Sequence, residues 1–228
     1  MDVSKLTVIS GHLGSGKTEF SLNYTTFLKA NHPEKKVVLC DLDFVNPYFR
    51  SRRHKEELEK SGVTILTPED REIAIADIPS VSAKIRTVLT DPSAEVIIEV
   101  GGDEGAIVLG HLKHVIRERG FDHYMVLNTY RPDTDEREKV TGMIKLIEKV
   151  SSVPITGIVL NNHLMYETKY EDVIEGYKTA DAMQLAATPV KYVCINGEFA
   201  EKAKKFGLKE NEEWFYLRRF TRYVHEAQ

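Results

Sequence analysis

The sequence contains little cysteine and no cysteine motif. Only two of its 228 residues are cysteines, Cys40 and Cys194, and they lie far apart. Because no CxC or CxxC pair is present, neither a redox motif nor a cysteine-based metal site is predicted. Each cysteine lies inside an apolar run, which indicates a buried thiol that packs as a small hydrophobic group.

Long apolar runs and an excess of positive charge are also missing. No run approaches the roughly 18 apolar residues that a membrane-spanning helix needs. The first residues, Met1 to Lys5, lead directly into a short strand pattern and lack the apolar core of a signal peptide. These observations predict a cytoplasmic protein. The formal net charge of -4 does not favour nucleic acid as a partner.

Short apolar, β-branched runs alternate with segments of helical periodicity along the chain. Such runs are typical of parallel strands that are covered by helices on both faces. They are Leu6–Ser10, Val37–Asp41, Val63–Leu66, Glu95–Val100, His123–Asn128, Ile155–Asn161 and Val190–Ile195. Periodic apolar positions predict one helix that ends near Asn31 and another after Asp133. We therefore predict a single domain over residues 1–228. Its fold class is α/β, with a doubly wound, mostly parallel sheet of about seven strands.

The clearest motif follows the first run. Residues 11–18 read GHLGSGKT and fit GxxxxGK[ST], the phosphate-binding loop of P-loop proteins. Glycines let such a loop turn so that its N–H groups face the phosphates, and the following helix adds its positive end. Lys17 is expected to reach the β- and γ-phosphates, and the Thr18 hydroxyl is expected to bind Mg²⁺. The predicted nucleotide-binding residues here are Gly11, His12, Leu13, Gly14, Ser15, Gly16, Lys17, Thr18 and Glu19. The alternative is a glycine-rich turn that binds nothing.

Acidic residues end two other predicted strands. Asp41 and Asp43 lie at the end of the second strand, and Glu99 lies at the end of the fourth, shortly before Gly102. A triphosphate site needs carboxylates that hold Mg²⁺ and orient water. We therefore predict Thr18, Asp43 and Glu99 as metal ligands, and a Gly102 backbone N–H close to the γ-phosphate. The alternatives are solvated loop acids at 41 and 43, and a helix-capping acid at 99.

These motifs together resemble the CobQ/CobB/MinD/ParA nucleotide-binding family of the P-loop class. The resemblance rests on the phosphate-binding loop, on Asp41-Leu42-Asp43, on Glu99-Val100-Gly101-Gly102 and on Leu160-Asn161, and it spans most of the chain. It implies a mostly parallel sheet, ATP as the ligand, and use as an ATP-driven switch. In some branches of the family it implies an ATP-dependent ligase instead.

The resemblance also implies roles for single residues. Asp43 matches the switch I acid that positions water, and Asp41 matches the acid one strand step earlier. Glu99 and Gly102 match the switch II D-x-x-G, with glutamate in place of the commoner aspartate. Lys17, Asp43 and Glu99 are thereby implied as catalytic residues. The longer glutamate leaves open whether it binds the metal directly or through a water molecule.

The chain departs from the family at one position and matches it at another. Many members carry a lysine at the position of His12, and that lysine reaches the phosphates of a partner subunit. A neutral histidine supplies no fixed charge. No N-K-x-D motif for guanine is present, whereas Asn161 matches the asparagine with which the family holds adenine. ATP is therefore predicted rather than GTP. The alternative is that Asn161 only caps a turn.

An aromatic and arginine-rich segment, Phe44 to Arg53, follows Asp43. It could order around the γ-phosphate and present Arg50, Arg52 or Arg53 to a partner, with help from Arg131. The alternative is a solvated basic helix start. Because the resembling family closes two subunits over two nucleotides, a homodimer that responds to ATP and ADP is predicted.

Residues 208–228 are predicted to form a C-terminal helical segment. In a helix, one face would carry Tyr216, Leu217, Phe220, Tyr223 and Val224, and the opposite face would carry Arg218, Arg219 and Arg222. The predicted helix docks on the sheet. The alternative is a helix that contacts a membrane or a partner.

The predicted function is that of a Mg²⁺-dependent ATPase acting as a nucleotide switch. Two alternatives remain open: an ATP-dependent transferase or ligase acting on a small metabolite, and a regulatory module that binds ATP without hydrolysis. The sequence does not name a protein or metabolite partner.

Overall fold

The computed structural model describes residues 6–43, 51–67, 83–185 and 187–220, and at 51–53 and 103–104 it describes the backbone alone. Residues 44–50 of the aromatic and arginine-rich segment and residues 221–228 of the predicted C-terminal helix therefore lie outside the described residues. The same holds for the side chains of Arg52 and Arg53.

Strands and helices alternate along the described chain, as the sequence pattern predicts. The strands are β1 (Leu6–Ser10), β2 (Val37–Leu42), β3 (Val63–Leu66), β4 (Glu95–Val100), β5 (Phe121–Leu127), β6 (Gly157–Leu160), β7 (Val190–Asn196) and β8 (Glu213–Leu217). The helices are α1 (Lys17–Asn31), α2 (Ser51–Lys60), α3 (Ala83–Leu89), α4 (Ile107–Arg119), α5 (Arg137–Ser151), α6 (Tyr170–Ala182) and α7 (Ala200–Ala203). Short 3-10 turns lie at Asp103–Ala106, Met165–Glu167 and Gly197–Phe199.

The strands form one sheet in the order β3-β2-β4-β1-β5-β6-β7-β8, and every neighbouring pair is parallel. The predicted α/β class and parallel sheet are confirmed, with eight strands in the described chain rather than about seven. Strand β1 lies between β4 and β5. From β1 the chain continues to β2 on one side of the sheet, and from β5 it continues to β6 on the other side, so the two connections diverge at this point. Parallel sheets bind ligands at such a switch point, beyond the carboxyl ends of the strands.

Hydrophobic side chains pack on both faces of the sheet. On β1, Val8 belongs to the cluster formed with α3, α4, α5 and α6, whereas Ile9 belongs to the cluster formed with α1 and α2. Phe20 of α1 is fully buried against the second face. This two-sided burial explains why the central strands are apolar throughout. Within the described residues, no helix has the length and apolar character needed to cross a bilayer.

The predicted C-terminal helix is wrong where the structure describes it. Residues Glu213–Leu217 form strand β8, which pairs with β7 at the edge of the sheet. Trp214 packs towards one hydrophobic cluster and Phe215 towards the other, as the two-residue period of a strand requires. Aromatic residues fit a pleated surface well, and pairing with β7 outweighs the helical spacing of the apolar positions.

Several strand ends also differ from the prediction by a few residues. Strand β5 begins at Phe121 and ends at Leu127, and β6 covers only Gly157–Leu160. Strands β2 and β7 each extend one residue further, to Leu42 and Asn196. The shifts follow from backbone pairing with neighbouring strands, which a run of apolar residues does not specify.

Candidate functional site

The predicted phosphate-binding loop connects β1 to α1, at the centre of the sheet. Gly14 and Gly16 have φ angles of 77° and 90°, a region that side chains with a Cβ atom rarely adopt. A Cβ atom at Gly16 would also lie 2.2 Å from Nδ2 of Asn161. Within the loop, the Ser15 N–H donates to the His12 carbonyl over 3.1 Å. Glycines are therefore required both for the turn and for the close approach of Asn161.

Lys17 begins α1 and is buried, with a relative exposure of 6 %. Its ammonium donates to the His12 carbonyl oxygen over 3.2 Å, so the side chain folds back along the loop. A buried ammonium with one backbone acceptor retains two further donors. The positive charge of Lys17 thus lies at the loop where the sequence predicts the β- and γ-phosphates.

The next residue, Thr18, contacts the end of strand β4. Its hydroxyl donates to Oε1 of Glu99 over 2.5 Å. Glu99 is 1 % exposed, and no described residue supplies a hydrogen bond to its other oxygen, Oε2. Burial, together with the nearby negative charge of Asp41, raises the pKa of the Glu99 carboxyl to about 8. A buried carboxylate oxygen without a partner, beside a hydroxyl, is a donor set that fits a divalent cation.

Two further acids lie close to Glu99. Asp41 is directly opposite Glu99 in the pairing of β2 with β4. The Asp43 backbone N–H donates to an Asp41 carboxylate oxygen over 3.2 Å, and the charge of Asp43 also raises the pKa of Glu99. In the described part of the chain, no three His, Cys, Asp or Glu side chains group tightly enough to hold a metal alone. A cation here would need phosphate or water oxygens as well, as Mg²⁺ commonly does.

The loop after β4 touches the phosphate-binding loop directly. A Cβ atom at Gly102 would lie 2.4 Å from the Gly11 carbonyl oxygen and 2.9 Å from its carbon. At neighbouring Gly101, a Cβ atom would lie 2.9 Å from an Asp43 carboxylate oxygen. Glycine at both positions lets the ends of β1, β2 and β4 come together at one point.

The loop after β5 contacts the phosphate-binding loop from the other side. Arg131 donates through Nε to the Gly14 carbonyl oxygen over 3.2 Å. Nε2 of His12 lies 3.4 Å from Oδ2 of Asp133. His12, the residue in place of the cross-subunit lysine, therefore faces an acid of its own chain. Asp133 was not predicted as a site residue, since no motif surrounds it.

A cavity of about 180 Å³ opens beside the phosphate-binding loop. Its lining includes Gly14, Gly16, Glu19, Arg131, Asn161 and Leu217. Asn161 follows β6, and its Nδ2 donates to the Ser15 carbonyl oxygen over 2.9 Å. The structure thereby places the predicted base-binding asparagine between the phosphate-binding loop and the cavity.

The end of β8 and the segment after it form another part of the cavity wall. Leu217 and Arg219 both line it. Neither residue was predicted as a site residue, because both lie in the segment that was predicted to be a helix. No local sequence signal indicates that these two residues lie at a site, because this part of the wall forms only when β8 pairs with the edge of the sheet.

The comparisons with known proteins agree with this fold. No protein-family model and no curated protein sequence matches the chain. Among solved structures, FtsY from Thermotoga maritima is 18% identical, with a TM-score of 0.52 over 82% of this chain and 60% of that chain. Chloroplast FtsY from Physcomitrella patens is 17% identical, with a TM-score of 0.53 over 82% of this chain and 57% of that chain. FtsY from Elizabethkingia anophelis, solved in complex with GDP, is 17% identical, with a TM-score of 0.50 over 82% and 56%.

The chain thus spans about three fifths of the length of these structures. At such identities the likeness shows the fold alone, which is the α/β fold of P-loop NTPases. The narrower resemblance to the CobQ/CobB/MinD/ParA family stays a prediction.

Proposed function

We propose that the protein binds a nucleoside triphosphate with Mg²⁺, hydrolyses it, and acts as a nucleotide-dependent switch. The observation that supports this most is the contact between Thr18, at the end of the phosphate-binding loop, and the buried carboxylate of Glu99. Thr18 and Glu99 are far apart in sequence, yet they meet with one carboxylate oxygen left without a hydrogen bond. A metal ion bound to a triphosphate would give that oxygen a partner.

Each predicted residue then has a defined role. Lys17 stabilises negative charge on the phosphates, and the Gly102 N–H approaches the γ-phosphate from the loop after β4. Asp43 orients the attacking water, because its carboxylate lies at the same strand ends. Thr18 would hold Mg²⁺ together with Glu99, directly or through a water molecule. When bound, the ion neutralises charge that develops on the phosphate oxygens.

The position of Asn161 in the cavity wall supports adenine as the base. One N–H of its Nδ2 donates to the Ser15 carbonyl, which holds the amide in place, and its carbonyl oxygen, Oδ1, can accept a hydrogen bond from a ligand. An acceptor pairs with the exocyclic amine of adenine, whereas guanine presents a carbonyl oxygen at the same ring position. We therefore propose ATP as the nucleotide. Its base, adenine, differs from the guanine of the GDP with which FtsY from Elizabethkingia anophelis was solved.

Phosphate release from MgATP tests the proposed hydrolysis. The wild type should release phosphate, and the Lys17→Ala variant should be inactive although it remains folded. Lys145→Ala serves as the control, because Lys145 is an exposed residue of α5 outside the site. Activity that is equal in all three proteins would contradict the proposal. Binding of ATP without any release would favour the regulatory module that does not hydrolyse ATP.

Two exposed apolar side chains beside the site favour a partner there. Leu13, in the phosphate-binding loop, is 62% exposed, and Ile107, at the start of α4, is 51% exposed. We propose that a second copy of the chain covers them when ATP is bound. Light scattering with MgADP and with a non-hydrolysable ATP analogue tests this. A monomer in both conditions, at tens of micromolar protein, would contradict the homodimer and favour a transferase acting on a small metabolite.

A further inference from the structure

At the cavity, Arg219 of the segment after β8 stacks on Tyr166 of the 3-10 turn Met165–Glu167. The Arg219 guanidinium lies over the Tyr166 ring, with its carbon 4.0 Å from the ring centroid. Nη2 of Arg219 also donates to the Met165 carbonyl oxygen over 3.1 Å. Both side chains line the cavity beside the phosphate-binding loop, and Tyr166 is 44% exposed. A planar cation and an aromatic ring thus meet in the wall of the cavity that Asn161 also lines.

This segment is held to the helix that begins at the phosphate-binding loop. The Phe220 N–H donates to the Glu19 carboxylate over 2.6 Å. The Asn23 side chain accepts from the Arg218 N–H over 2.8 Å and donates to the Arg218 carbonyl over 2.9 Å. These backbone contacts fix the position of the segment on α1, so the Arg219 side chain starts from a defined point at the cavity wall.

The adjacent arginine points elsewhere. Nη2 of Arg218 lies 2.8 Å from a Glu57 carboxylate oxygen on α2, and Arg218 does not line the cavity. Two neighbouring arginines of one segment therefore have different surroundings, which provides a matched comparison.

We propose that Arg219 and Tyr166 form the stacking surface for the adenine ring of the bound nucleotide. The inference rests on the proposed function and assigns part of that same site to the segment after β8. A guanidinium is planar and has two faces, and an aromatic ring stacks well against purines. Such a surface binds the base irrespective of the number of phosphates. It complements Oδ1 of Asn161, the acceptor that would pair with the exocyclic amine of adenine.

Calorimetric titration of four variants with MgATP and MgADP tests the proposal. Arg219→Ala and Tyr166→Ala each remove one member of the stack and should weaken both ligands on the order of ten-fold. Arg218→Ala, which removes the contacts with Glu57 and with the Phe220 ring but none with the cavity, should bind like the wild type. Tyr166→Phe keeps the ring and should also bind like the wild type. Thermal melts establish that each variant is folded.

Several results would overturn the proposal. Equal affinities of Arg219→Ala and Arg218→Ala would show that the guanidinium does not contact the base. A loss in Tyr166→Phe as large as in Tyr166→Ala would assign the effect to the hydroxyl instead of the ring. A loss for MgATP alone would indicate contact with the γ-phosphate. If the wild type binds neither nucleotide, the proposed function fails as well, whereas the three other results leave it intact.

Discussion

Replacing Gly102 by alanine should separate hydrolysis from nucleotide binding. The new Cβ atom would lie 2.4 Å from the Gly11 carbonyl oxygen, and ordinary contacts of a Cβ atom begin near 3.4 Å. The atoms in its way are backbone atoms, including the His12 Cα at 3.2 Å, so no side chain can rotate aside. The loop after β4 must therefore move about 1 Å away from the phosphate-binding loop.

A shift of this size has a large expected effect on the reaction. Displacement of a reacting group by about 1 Å costs on the order of 100-fold in rate, so kcat should fall by about that factor. The affinity for MgADP should change by less than about ten-fold, because Lys17 and Thr18 remain in place. Forcing a methyl group into the contact should also lower the free energy of unfolding by about 1–3 kcal/mol.

Phosphate release, calorimetry with MgADP and urea unfolding measure these three effects. Gly142→Ala is the control, because a Cβ atom at Gly142, within α5, meets no atom within 4 Å. That change should raise the free energy of unfolding by about 0.5–1 kcal/mol and leave kcat unchanged. A kcat for Gly102→Ala within two-fold of the wild type would refute the reasoning about the contact between the two loops.

Three further predictions concern buried polar groups. Glu99→Gln removes the carboxylate beside Thr18, so the affinity for MgATP, measured by calorimetry, should weaken about ten- to 100-fold. An unchanged affinity would be contrary to the proposed metal site. Asn161→Ala should weaken MgATP on the order of ten-fold and GTP much less, and equal losses for both would contradict a base-specific contact. Burial lowers the pKa of His123 from 6.5 to about 4, so between pH 6.5 and about pH 4 the unfolded chain binds this proton and the folded chain does not. The free energy of unfolding should therefore fall by about 3 kcal/mol between pH 6.5 and pH 4, as followed by urea unfolding, and the fall should be smaller in His123→Asn.

The order of strands and helices could be predicted from the sequence because each element leaves a local signal. The central strands are buried on both faces, so they are apolar throughout, and the first helix ends at Asn31 as its spacing and the following Pro33 predict. The phosphate-binding loop is equally local, since its glycines, Lys17 and Thr18 are consecutive. The proximity of Asp43 and Glu99 could also be predicted, because the carboxyl ends of parallel strands meet at one edge of the sheet.

The remaining parts of the site depend on contacts between distant segments. Strand β8 forms by pairing with β7, and its short aromatic run fits a helical spacing as well as a strand. Arg131 reaches Gly14 across 117 residues of chain, and Phe220 reaches Glu19 across 201. No residue spacing carries such information, because these contacts are set by how loops and edge strands pack in three dimensions.

The most direct test of the proposed site is an equilibrium titration of MgATP into the wild type and into the Lys17→Ala variant. Lys17 lies at the junction of loop and helix, and its buried ammonium contacts only the His12 carbonyl among the hydrogen bonds of the described residues. The wild type should bind MgATP, and the variant should lose most of this affinity while its circular dichroism spectrum is retained. Equal MgATP affinity in the two folded proteins, or no binding by the wild type, would contradict the assignment of residues 11–18 as a triphosphate-binding loop.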